Sequence, residues 1–523
     1  RADHCYVRQL RRIFRPCFRA ASLFLRLVAL DYLLPYNAEP DKHILSQARQ
    51  LKHGTGPFFP AYGAYPHLLA WLLSLLPGAE VAPGRASLED HLRAASSEVL
   101  AARRLLSLLS VISLPLLYSV CRFVCSRGVS LLAAFLYAFS LLQFGYSQQA
   151  RPHAAAVTFL LLGLLSCLHL QRDRTWKGYA AAGLSVGLAL SALQTNVVLL
   201  LTGLVAHSLA SRGRSWREHL KLGLPVALIA LLGYAFYPFL FAFRLPPEAT
   251  TNIGTTAWPH RFELGWLSGG GAAKAWHYLW THDPLLLLLS LGGAALLLLR
   301  LRPEPGVLPR TGPSDREARR KAATVIASHG LGLLILLVVY ERTYARLFLP
   351  LMPHLALLAA LFLSTLWSAA KRESGGVLAP GVRCVLILVV LAQTVPCLRF
   401  FQLKLRTDTM TLATGWLQRY DASAEPTREN LFAVTPWLTF PASFPVREAE
   451  GQDLQGSEMK VPWFKYLARL EEEDVASEAL HIVPLAPGGC LPASSQDMFN
   501  AVGHYPEILE QLNPDYCVLQ PLG

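Results

Sequence analysis

The chain has 523 residues, 53% hydrophobic and only 16% charged, with 48 Lys and Arg against 35 Asp and Glu. Its mean hydropathy is +0.34. Soluble domains carry about 25% charge; here the apolar excess comes in long runs such as 284–299 and 330–340, which excludes a water-soluble globule and predicts a chain that crosses a membrane repeatedly.

In chain order, spans are predicted over 17–36, 103–124, 128–146, 153–171, 178–193, 195–210, 219–243, 283–301, 323–340, 346–369 and 380–400, about eleven in all. The first contains Arg26 and Asp31. Charge inside a membrane is expensive, so each is expected to face a partner or a cavity. The formal charge of +13 does not call for a nucleic-acid partner, because no basic stripe is interleaved with stacking aromatics. The basic residues sit in short segments between spans: "RQLRRIFRPCFR", "CRFVCSRG", "QRDRTWKG", "ASRGRSWREHLK", the run over 300–323 and "AAKRES". All fall on one side, which the positive-inside rule makes cytoplasmic, with the N-terminus. This holds if residues 60–76 lie on the outer face without crossing and the chain reverses at 193–195. Residues 37–102, the turn 148–152, the loop 244–282, the turn 341–346 and the tail after 400 then face outward, from a bacterial inner membrane or the endoplasmic reticulum membrane.

The expected architecture is an α-helical polytopic domain over 1–400, with the outer loop 37–102, followed by a small α/β extramembrane domain over 401–523. In that tail "LFAVT" and "DYCVLQ" read as strands, and "SSQDMFNAV" and "PEILEQL" as short helices. Nine cysteines do not make a disulfide framework in a chain this long, although Cys490 and Cys517 share the tail and could pair in an oxidising compartment. No cleavable signal peptide stands apart from the first span.

Chemistry is expected in the outward segments. In "NAEPDKHILSQARQL" Pro40 suits a first helical turn, and Ile44, Leu45, Ala48 and Leu51 recur at helical spacing. Asp41 would then sit at a helix N-terminus, where the dipole favours its ionised form as a base; the plainer role for Asp41 and Glu39 is capping. Arg151, Arg342 and Arg346 lie at outward ends of spans. An arginine fork suits phosphate oxygens, and a carboxylate with several arginines on one membrane face points to an anionic, lipid-linked group handled there. Asp41 with His43, His53 and His67 is a candidate set for a divalent cation, but the spacings match no firm ligand motif. There is no GxxxxGK[ST], GxSxG or HExxH, and "SGGGAA" at 268–273 lacks the strand–helix context of a dinucleotide site.

The stretches "FLRLVALDYLLPYNAEPDKHILSQARQL", "GPFFPAYGAYPHLL", "YSQQARPHAAAVTFLLLGLL", "GYAAAGLSVGLALSALQTNVVLL" and "YERTYARLFLPLMPHLALLAALFL" resemble the GT-C glycosyltransferases over residues 20–400. This is the superfamily of protein O-mannosyltransferases and bacterial aminoarabinose transferase. The resemblance implies a sugar donor on a polyprenyl or dolichyl phosphate in the membrane lipid, and an acceptor hydroxyl on protein, glycan or lipid. It makes Asp41 the catalytic base, with Glu39 beside it. With such a donor, Arg151, Arg342 or Arg346 is expected on its phosphate, and Lys42, His43, Tyr65 and His67 along the substrate. Attack opposite the leaving group implies inversion. This sequence departs from the family at Lys42, where Glu is common, at His153, where Asp is common, and at Gln194, where Lys is frequent. The alternatives are a flippase or transporter of a lipid-linked substrate, and a GT-C relative that has lost catalysis.

Overall fold

In the computed structural model of the protein the described residues are 22–32, 34, 88–173, 175–211, 215–235, 269–299, 313–340, 344–372, 378–407, 412, 431–434 and 516–519. The chain divides into two compact units: Arg1–Leu30, Glu39–Pro77 and Glu98–Leu405 form one, and Asp31–Ala38, Gly78–Ser97 and Arg406–Gly523 the other.

The larger unit is helical. Helix α1 covers residues 22–27 and gives way to turns at 28–32, with Ala29 left-handed at φ 56°. The predicted first span, 17–36, is therefore interrupted before its end. The physical reason is a side chain from elsewhere: the Gln148 amide donates to the carbonyls of Leu25 (2.9 Å) and Val28 (3.2 Å), so these groups need no further helical turn. Helices α2 (Leu88–Arg122), α3 (Arg127–Ala138), α4 (Leu141–Ser147), α5 (Pro152–Asp173), α6 (Trp176–Ala192), α7 (Val198–Ala210) and α8 (Trp216–Ala235) follow. After them come α9 (Gly271–His282), α10 (Pro284–Leu298), α11 (Pro313–Val339), α12 (Met352–Arg372), α13 (Leu378–Ala392) and α14 (Val395–Lys404). Two 3-10 turns, Gln194–Val197 and Ala345–Leu351, lead into α7 and α12.

Among the described residues five helical stretches are long and apolar enough to cross a membrane: Ser96–Arg122, Pro152–Arg172, Arg316–Val339, Ala345–Ala370 and Pro380–Lys404. The pair α3 and α4 makes a sixth if its 60° bend is one broken span. The sequence predicted an unbroken helix there, over 128–146. Large apolar side chains stand exposed along these helices, among them Leu108, Ile335 and Leu388. Such a surface suits acyl chains rather than water.

The reversal predicted near 193–195 is present. On α5, Ser166 bonds to Ser185 of α6 (3.0 Å) and Leu170 lies against Gly178, so α6 runs antiparallel to α5. Gly163 and Cys167 of α5 meet Leu199 and Gly203 of α7 in that order, so α7 runs parallel to α5. Both neighbours share one level of α5, which a single tilted helix could not do. At the far end of α5 the Arg172 guanidinium lies 4.5 Å from the Phe123 ring centre, and Arg122 and Arg319 both act on the Cys125 thiol. The ends of α2 and α5 and the first turns of α11 thus gather arginines at one end of the bundle. Arg151 precedes the opposite end of α5, which at 22 residues is about 33 Å long and matches the hydrocarbon thickness.

Helices α10 and α12 touch backbone to backbone. A Cβ on Gly293 would fall onto the Leu358 carbonyl, and one on Gly292 would come within 2.9 Å of the Phe362 ring. Small residues at such a contact let membrane helices close up and gain dispersion contacts. Gly293→Ala is therefore expected to lower stability by about 3 kcal/mol. Gly381→Ala in α13, where a Cβ meets nothing within 4 Å, should be neutral or stabilising by about 0.5 kcal/mol through helix propensity. Thermal unfolding of the two variants in detergent checks the contrast.

In the second unit, β1 (Leu431–Val434) and β2 (Tyr516–Leu519) are the segments that read as strands, paired in parallel with Leu431 opposite Tyr516. The rest of 401–523 beyond 412 lies outside the described residues.

Candidate active site

Pro152 opens α5, where its fixed φ suits a first helical turn, and Arg151 stands just before the helix. Arg151 is buried, and His153 in the first turn more so. The 3-10 turn Ala345–Leu351 packs on this end of α5 and on the Gln194–Val197 turn. It carries Arg346, whose guanidinium lies 4.8 Å from the Tyr344 ring centre. Among the described residues, Arg346 and Arg151 are charged groups that act on the His153 ring. Two segments almost 200 positions apart thus set two guanidiniums within electrostatic reach of one imidazole.

The end of α1 is tied to the same place. Besides the Gln148 bonds, Arg103 of α2 donates to the Leu30 carbonyl, and Ser107 donates to the Ser147 carbonyl at 2.8 Å. The chain therefore leaves α1 beside the segment that leads to Arg151.

Below lies the break between α3 and α4, which frees backbone groups that a bilayer cannot solvate. Side chains meet several of them. The Ala138 carbonyl accepts from Arg26 (2.8 Å), and the Phe139 carbonyl from Gln393 (3.2 Å) and the Cys397 thiol (3.2 Å). The amides of Leu141 and Leu142 donate to Asp283 (2.9 and 3.0 Å), and that of Gln143 to the Ser140 hydroxyl (3.2 Å). Asp283 also accepts from Ser140 (2.8 Å) and Gln393 (3.1 Å). Asp283 occupies the N-cap position of α10 but makes no cap bond there; it caps α4 instead. The intramembrane Arg26 finds its partners in this break: it also bonds to the Ser22 hydroxyl at 2.6 Å and lies 5.5 Å from the Phe144 ring centre.

Of the predicted site residues, Arg151 and Arg346 are described and share His153 as a neighbour. Glu39, Asp41, Lys42, His43, Tyr65, His67 and Arg342 lie outside the described residues, as does His53. Among the described residues no group of three or more His, Cys, Asp or Glu could hold a metal ion. Sequence reasoning missed Asp283, Gln393, Arg103 and Gln148. An acidic residue before Pro284 is a cap signal, but nothing in the sequence says that it caps a helix 140 positions away. It also missed the buried pair His329 and His354, whose rings bond at 2.8 Å between α11 and α12.

Residues 94–240 match the family model of dolichyl-phosphate-mannose-protein mannosyltransferase. No curated protein matches the chain. Among solved structures, ArnT from Cupriavidus metallidurans bound to undecaprenyl phosphate is similar at 13% identity and a TM-score of 0.47, over 89% of each chain. The oligosaccharyltransferase of Archaeoglobus fulgidus tethered with an acceptor peptide is similar at 12% identity and a TM-score of 0.46; the match covers 80% of this chain and 62% of that one. The same enzyme, AglB, in complex with an inhibitory peptide and a dolichol-phosphate gives 12% identity and 0.46, over 81% and 63%. The match over residues 94–240 agrees with the resemblance to the GT-C glycosyltransferases read from the sequence.

Proposed function

We propose that this protein transfers a sugar from a polyprenyl or dolichyl phosphate to an acceptor hydroxyl on the extracytoplasmic face of the membrane. One observation carries the proposal: Arg151 and Arg346 both act electrostatically on His153, at the end of the bundle opposite the cluster of Arg122, Arg172 and Arg319. The positive-inside rule makes that clustered end cytoplasmic, so the Arg151 end faces outward.

The donor's phosphate sits at the membrane boundary with its isoprenoid tail in lipid. The Asp41 carboxylate takes the proton of the acceptor hydroxyl, with Glu39 beside it. The hydroxyl oxygen bonds to the anomeric carbon from the face opposite the phosphate. The bond from that carbon to the phosphate oxygen breaks, and the lipid phosphate leaves with the electron pair. Arg151 and Arg346, with Arg342, stabilise the charge that develops on the leaving oxygen. In a site largely shut off from water this stabilisation is far larger than in solution. Lys42, His43, Tyr65 and His67 line the substrate, and the unit containing residues 406–523 selects the acceptor, be it protein, glycan or lipid.

A transporter of lipid-linked substrates would use broken helices to present free backbone groups to its cargo. The break between α3 and α4 does not do this, since Arg26, Ser140, Asp283, Gln393 and Cys397 take up its carbonyls and amides.

Asp41→Asn is expected to abolish transfer while leaving thermal unfolding in detergent unchanged. Purified protein incubated with radiolabelled polyprenyl-phosphate sugars should move label to an acceptor in the wild type only. Near-normal transfer by the variant removes Asp41 from its role; label crossing to the opposite leaflet still attached to lipid favours transport.

A further inference from the structure

Helix α9 falls in the loop 244–282, which the sequence assigned to no span. It begins where a span ends: the Gly269 amide donates to the Val339 carbonyl (3.1 Å), and Gly271 lies against the carbonyls of Leu337 and Tyr340. The span Arg316–Val339 has 24 residues, about 36 Å, so its end lies at the hydrocarbon edge. At its other end α9 runs through Asp283 into α10, whose Leu288, Leu291, Leu297 and Leu298 are exposed along an apolar side. Gly271, Ala275 and Leu279 form the buried stripe of α9, and Tyr278 meets Phe348 of the Arg346-bearing turn with ring centres 6.1 Å apart.

About 100° round the helix from that stripe stand Trp276 and Trp280, 53% and 47% exposed. Their rings stack on each other at 5.7 Å and 11°. Two half-exposed indoles would be a liability in water. Indoles prefer the level of lipid headgroups, where the ring is apolar and its N–H stays wet. Helix α9 carries no acidic residue, and Lys274 and His277 are exposed on it, which suits lipid phosphates.

We propose that the Trp276 and Trp280 face of α9 docks on the bilayer surface as an interfacial anchor, beside the turn that carries Arg346. The occupant of this face is lipid. Three things support it: continuity with the exposed leucines of α10, the level at which α9 starts, and the absence of negative charge.

The test reconstitutes the full chain in phosphatidylcholine and phosphatidylglycerol nanodiscs, with acyl chains either plain or brominated near the headgroup. The sequence has 11 Trp, so the signal is the difference in emission between wild type and Trp276→Phe/Trp280→Phe. The expected result is that brominated lipid removes most of this difference emission while aqueous iodide removes little. Trp276→Phe and Trp280→Phe alone give the same readout should the double variant not fold. Quenching by iodide and not by brominated lipid would overturn the proposal by placing the face in water. Quenching by neither would overturn it in favour of a protein partner, and a dimer on cross-linking in nanodiscs would identify a second copy.

Discussion

Arg346→Ala is expected to slow sugar transfer by about 10²- to 10³-fold, the loss seen when one donor to a developing oxyanion is removed. Arg346 sits on the 3-10 turn against α5, sharing His153 with Arg151. Arg346→Lys keeps a charge but loses the planar fork, and should recover only part of the rate. If both arginines hold one phosphate, the losses of Arg151→Ala and Arg346→Ala should not add, and the double variant should be little worse than the poorer single one. Single-turnover transfer with saturating donor separates this loss of rate from weakened donor binding. Unchanged thermal unfolding separates it from loss of fold.

Asp283→Ala is expected to cost stability on the order of 4 kcal/mol. The change deprives four donors, three of them buried, of an acceptor at once: the Ser140 hydroxyl, the amides of Leu141 and Leu142, and the Gln393 side chain. Asp283→Asn keeps the shape and one acceptor oxygen but turns an amide towards a donor, so it should fall between wild type and Ala. Because α4 carries the chain from the break towards Arg151, transfer should fall together with stability. Thermal unfolding of the detergent-solubilised variants, with transfer measured well below their unfolding temperatures, checks both effects.

Hydropathy made the span α5 and the turn-and-helix Ala345–Arg372 legible, because their apolar runs are long and bounded by charge. The reversal at Gln194–Val197 was legible for a similar reason, as a polar interruption between two apolar runs. The break in α3 and α4 was not. Phe139 and Ser140 interrupt the apolar run too weakly, and what stabilises the bend comes from Arg26, Asp283 and Gln393, each over 100 positions away. Helix α9 was missed because its apolar stripe is short and flanked by Gly and aromatics that read as loop. For Arg26 the cost of charge in a membrane predicted a partner, and the sequence could not say that this would be a backbone carbonyl. Arg151 and Arg346 were picked out by residue type and position at the ends of spans; their meeting at His153 depends on the packing of the Ala345–Leu351 turn against α5, which no local pattern encodes.

The most direct test of the account is a cryo-electron microscopy map of the protein in nanodiscs with dolichyl phosphate bound. The account predicts the phosphate within hydrogen-bonding distance of the Arg151 and Arg346 guanidiniums, with the isoprenoid tail running along the outside of the bundle into lipid. A phosphate bound at the opposite end, among Arg122, Arg172 and Arg319, would contradict it.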